Sequence, residues 1–136
     1  MIERLVVLVI LFISGCTSKP FQPPRSSYEY WLVNGQDKLE VKKALLECGY
    51  PSPFDRPIDE NKYIVGYKCM LKSGFVPNSD LAERIKSYNC SFLRKDSLPL
   101  ACDLPWDKIP DRSIKKRLES DYCKHKLYRT YPVCQP

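Results

Sequence analysis

Histidine and glycine are scarce in this chain, and their scarcity narrows its chemistry: one histidine and five glycines in 136 residues. A hydrolytic site needs a nucleophile, a base and an orienting group within reach of one another. His125 is the only imidazole, and it stands between two lysines in Cys123-Lys124-His125-Lys126. It reads as a solvated surface side chain. No glycine-rich stretch offers to cradle a phosphate, and no Cys-x-x-Cys pair accompanies the lone histidine to make a zinc site. Nor does any apolar run approach the roughly 20 residues of a bilayer-spanning helix. Asp103 and Asp107 could be posed as an acid–base couple, but prolines and turn residues flank them and they read as loop solvation. The expectation is a protein that is not an enzyme and holds no metal or cofactor.

The start of the chain is more informative. Met1-Ile2-Glu3-Arg4 is followed by nine apolar residues, Leu5 to Ile13, and then by Ser14-Gly15-Cys16. The run is too short for a permanent anchor and right for the apolar region of a cleaved signal. Small residues before Cys16 suit an extended segment in a peptidase cleft. Ile13-Ser14-Gly15-Cys16 resembles the lipobox of bacterial lipoproteins, with isoleucine where leucine is usual and a single basic residue ahead of the run. The resemblance covers residues 1 to about 18. It implies removal of residues 1–15, lipidation of Cys16, and, with Thr17 rather than aspartate next, an outer-membrane address facing the periplasm or the surface. Several acyl chains anchor stably where one binds marginally. Residues 16–27, rich in proline and serine, read as a lipidated tether. Residues 28–136 read as one domain.

Seven cysteines less Cys16 leave six: Cys48, Cys69, Cys90, Cys102, Cys123 and Cys134. An even set in a small exported protein points to a disulfide framework, which a chain too short for a large core needs. The fold class expected is mainly α, a small disulfide-stapled helical domain. Asp37-Lys38-Leu39-Glu40 is a capping-box pattern, and behind it Val41, Ala44, Leu45 and Cys48 share one helix face until Gly49 and Pro51 end it. Residues 59–73 mix helix and strand signals, with Gly66 against a helix by about 1 kcal/mol. A helix is favoured because Asp59 can cap it and Ser73-Gly74 can end it, with Cys69 facing Cys48. Trp31 and Trp106 are expected to plug the small core.

The C-terminal half repeats itself at an offset of 33. Pro77, Leu81, Arg84, Ile85, Ser87 and Cys90 fall in register with Pro110, Ile114, Arg117, Leu118, Ser120 and Cys123, and Pro99 with Pro132. Two helix-plus-loop units follow, about 77–102 and 110–134. Units stapled within themselves favour Cys90–Cys102 and Cys123–Cys134, leaving Cys48–Cys69. A loop cysteine such as Cys102 bridging to the other unit is the alternative.

The charge is +6, and it stays so without the signal, because Glu3 and Arg4 leave together. Lys115, Lys116, Arg117, Lys124, Lys126 and Arg129 gather on and after the last helix among Tyr122, Tyr128 and Tyr131, a candidate basic interaction face. Such a face suits anionic headgroups, cell-wall polymer or an acidic envelope protein. Nucleic acid is not expected in the inferred compartment. The function expected is a structural or interaction lipoprotein of the envelope. The alternative is an inhibitor or exclusion factor against a foreign enzyme, phage or plasmid, and an envelope hydrolase comes last.

Overall fold

A computed structural model describes residues 25–32, 35–54, 57–78, 90 and 99–136. Among the described residues there are four α-helices and no strand: α1 (Lys38–Glu47), α2 (Glu60–Lys72), α3 (Ile114–Glu119) and α4 (Asp121–Lys124). Short 3₁₀ turns at Ser27–Trp31, Leu100–Cys102, Trp106–Lys108 and Pro132–Cys134 join them. No helix among them is long and apolar enough to cross a membrane. The domain is therefore helical and disulfide-stapled.

Helices α1 and α2 begin and end by the same devices. Asp37 accepts the Leu39 N–H at 2.9 Å, and Asp59 accepts the Lys62 N–H at 3.1 Å, so each N-terminus has a carboxylate cap. At the other ends Gly49 and Gly74 take φ of +95° and +84°. This lets Tyr50 N–H reach Leu45 O (3.0 Å) and Phe75 N–H reach Met70 O (3.1 Å). Gly49 and Gly74 N–H bind Leu46 O and Leu71 O, which completes a Schellman motif at each end. Both motifs swing an aromatic ring, Tyr50 or Phe75, back into the core.

Helix α1 is buried on two sides. Val41, Ala44, Leu45 and Cys48 pack into the main core with Trp31, Tyr50, Cys69, Met70, Phe75 and Ile109. On another face Leu46 joins Tyr122, Cys123, Val133 and Cys134 in a smaller core, with Leu39 and Tyr128 against it. Each core contains one disulfide: Cys48–Cys69 (Cα–Cα 5.6 Å) in the main one and Cys123–Cys134 (5.3 Å) in the smaller. Cys90–Cys102 (5.7 Å) lies nearer the surface, with Cys90 exposed.

Gly66 is the odd residue of α2, and the structure gives its reason. A Cβ there would lie 2.7 Å from the Tyr50 ring and 3.3 Å from Cys48 O. Because the ring is buried, it has nowhere to retreat. Gly66→Ala should therefore lower stability by about 1–2 kcal/mol although alanine favours helix. Urea titration checks this, and a more stable variant would refute it.

Burial pushes the Tyr50 hydroxyl well above 10.0, and neighbouring Tyr63 and Tyr67 add to the rise. A raised folded pKa stabilises fully below the unfolded value and is lost as pH rises beyond it. Stability should hold up to about pH 10 and fall above it, and Tyr50→Phe should flatten that decline in a pH series of thermal melts.

The loop 99–111 is fixed to α2 by cations. Lys68 Nζ donates to Ala101 O, Cys102 O and Leu104 O at 2.9–3.0 Å. One turn on, Lys72 Nζ donates to Ile109 O at 2.9 Å and pairs with Asp111 at 2.8 Å. This loop holds Trp106 outside: the indole is 55% exposed, with Lys68 Nζ 5.9 Å from its ring. Trp31, at 1%, is a core plug, whereas Trp106 does not plug the core because the carbonyls around Lys68 fix its loop against the outer side of α2. The first repeat unit's helix falls outside the described residues. Cys102 and Cys134 each end a one-turn 3₁₀ helix, following Pro99 and beginning at Pro132 respectively.

Candidate functional site

The short helix α3 is turned inside out relative to its hydrophobicity. Ile114 (55%) and Leu118 (38%) face solvent while Arg117 is 2% exposed. Charge explains the inversion. Arg117 Nε donates to Glu47 Oε1 at 2.9 Å, and its Nη1 donates to Val133 O at 2.8 Å and to Gln135 O. Arg112 closes the other side of the same carboxylate, with Nε 2.7 Å from Glu47 Oε2 and Nη2 2.7 Å from Glu40 Oε1. Burial opposes the Arg112 charge, but the two glutamates outweigh it and raise its pKa above the usual value. Glu47, 4% exposed, is thus a buried carboxylate shared by two arginines.

Arg117 accordingly leaves the candidate basic face: it is an internal tie between α1 and the C-terminal segment. Lys115, Lys116, Lys124, Lys126 and Arg129 are exposed, as is His125. Asp103 and Asp107 are exposed loop residues, with Asp107 at 3.9 Å from Lys108. Cys16 lies outside the described residues.

The C-terminal segment that Arg117 holds forms one wall of an open groove of about 660 Å³, lined by Leu39, Lys42, Ser52, Phe54, Tyr122, Tyr128, Tyr131, Pro132 and Val133. The sequence places the three tyrosines beside the lysines, but no local pattern marks the opposite wall, because Leu39, Lys42 and Phe54 come from α1 and the loop after it. The rings are locked in series. Tyr122 and Tyr128 stack at 4.6 Å and 7°, Tyr128 meets Tyr131 edge-on at 5.6 Å, and His125 lies 4.9 Å from Tyr128. Phe54 reaches Tyr122 at 6.1 Å and Tyr28 at 5.8 Å. Lys42 Nζ sits 4.4 Å from the Tyr28 ring centre and 5.2 Å from that of Phe54, a cation held between two aromatic faces.

Apart from Lys42 and Ser52 the lining residues are aliphatic or aromatic, a composition common in ligand-binding clefts. Tyrosine supplies large, rigid contact area at low cost in side-chain entropy. The turn carrying Tyr128 and Tyr131 is itself fixed, with Tyr128 and Arg129 N–H on His125 O and Gln135 Nε2 on Arg129 O. Comparison with family models, with curated proteins and with solved structures finds no match.

Proposed function

We propose that this chain is an envelope lipoprotein whose stapled helical domain is a non-catalytic interaction module, docking a partner through the tyrosine-lined groove. The groove is the observation that carries this reading. Its walls come from α1, the following loop and the C-terminal segment. Glu47 and Arg117 tie α1 to that segment, the Cys123–Cys134 bridge closes the segment, and Phe54 of the loop meets Tyr122. The exposed Lys124, Lys126 and Arg129 belong to the same segment as the groove's tyrosines and would steer an acidic partner toward it. Lipidation of Cys16, with residues 16–27 as the tether, would hold the module at a membrane surface without spanning it.

The two halves of the proposal are separately testable. Cys16→Ser should move the protein out of the membrane fraction and abolish incorporation of labelled palmitate. Unchanged partitioning would sink the anchor. A photo-crosslinking residue at position 131 should capture one dominant envelope partner in living cells. The same residue at position 62, exposed on α2 and outside the groove lining, should not. Equal capture at both positions would remove the groove from the interaction.

A further inference from the structure

We infer that the groove takes an extended, proline-rich peptide segment bearing a carboxylate. This rests on the reading of the domain as a docking module and names what it docks. The inference comes from which hydrogen-bonding atoms the groove has already spent. Tyr122 O accepts from His125 N–H (3.3 Å), Tyr128 O from Tyr131 N–H (2.8 Å) and Tyr131 O from Cys134 N–H (2.8 Å). Pro132 O accepts from Gln135 N–H (3.3 Å), and Val133 O from the Arg117 guanidinium (2.8 Å). Ser52 Oγ accepts the Phe54 N–H at 3.1 Å. Each of these acceptors thus already takes one hydrogen bond inside the protein. Among the lining side chains the Lys42 ammonium can only donate, whereas the Tyr128 and Tyr131 hydroxyls can donate or accept.

An aromatic groove whose one charged group can only donate suits an extended, acceptor-rich ligand of opposite charge. Polyproline II is a chain of solvated carbonyl acceptors from which proline has removed the N–H donors, and its rings lie flat on aromatic faces. It is already extended, so little ordering entropy is lost on binding. A neutral sugar chain could stack on the rings but offers the Lys42 ammonium no opposite charge. A flat bilayer surface cannot fill a concave site. The carboxylate follows from Lys42, whose charge is fixed by the Tyr28 and Phe54 rings and with which no carboxylate among the described residues pairs.

The test is a nuclear magnetic resonance titration of the oxidised full chain in detergent micelles. The probe is a synthetic peptide of Glu-Pro-Pro repeats, with a Lys-Pro-Pro peptide and a chito-oligosaccharide as controls. The acidic prolyl peptide should shift Lys42, Phe54, Tyr128 and Tyr131 saturably, and the two controls should bind at least about fivefold more weakly. Tyr131→Ala and Lys42→Met should each weaken the acidic peptide by roughly fivefold or more. Both side chains lie at the groove, so thermal unfolding and the three bridges should be unchanged, which separates lost binding from lost fold. Absence of saturable shifts, indifference to the carboxylates or tighter binding of the sugar would overturn the proposal. So would occupation of the groove by the chain's own Pro20, Pro23 and Pro24, seen as shifts at those residues in Tyr131→Ala without peptide. Such failures, beside continued capture of a partner at position 131, would discard the ligand class and leave the docking role standing.

Discussion

Glu47→Ala should lower the stability of the domain by about 3–5 kcal/mol, the cost of leaving a buried charge without its partner. Arg117 would keep its bonds to Val133 O and Gln135 O but lose the carboxylate that neutralises it at 2% exposure. Arg112 would retain Glu40 and is partly solvated, so most of the loss falls on Arg117. A domain of this size has roughly 5–15 kcal/mol in total, which makes this one side chain a large share. Denaturant unfolding of the oxidised variant measures it. Replacing both partners together, Glu47→Leu with Arg117→Met, should recover part of the loss, because neither charge then remains to be solvated. Recovery would be incomplete, since Val133 O and Gln135 O lose their donor. A Glu47→Ala loss below about 1 kcal/mol would show that solvent reaches the pair.

The second large effect belongs to Cys48–Cys69. Its replacement by an alanine pair should cost about 3 kcal/mol, the loop-closure entropy expected for a separation of 21 residues. It also removes two fully packed side chains from the main core, at 3% and 0% exposure. The bridges should not be equally accessible to a reductant. Cys90 is exposed, so Cys90–Cys102 should open first under mild thiol treatment, and Cys48–Cys69 last. Timed alkylation and mass mapping read the order, and early opening of Cys48–Cys69 would contradict the burial argument.

Much of the fold was legible because its signals are local. Asp37 and Asp59 announce their helices from one position away, and Gly49 and Gly74 end them by a conformation that other residues resist. Val41, Ala44, Leu45 and Cys48 recur with the helical period and are buried together. The groove and its support were less legible, because they depend on partners far apart in the chain. Arg117 and Glu47 meet across 70 residues, and Lys68 finds carbonyls 33 to 36 residues away. No periodicity announces such pairs. Ile114 and Leu118 even point the wrong way: by hydrophobicity they, not Arg117, belong inside. Trp106 misleads for the same reason, since hydrophobicity alone does not register that cation–carbonyl contacts hold its loop outside.

Helix α1 has a consequence beyond packing. Its Val41–Cys48 face belongs to the main core and its Leu39–Leu46 face to the smaller one, while Leu39 and Lys42 also line the groove. The two cores therefore share a wall, and neither can loosen without exposing the other. Occupancy of the groove is then felt across the whole domain: a ligand present at a hundred times its dissociation constant adds about 2.7 kcal/mol to the native state. That increment would slow the opening of Cys48–Cys69, which the ligand never touches, so the rate at which a remote disulfide is reduced becomes a meter for what sits in the groove.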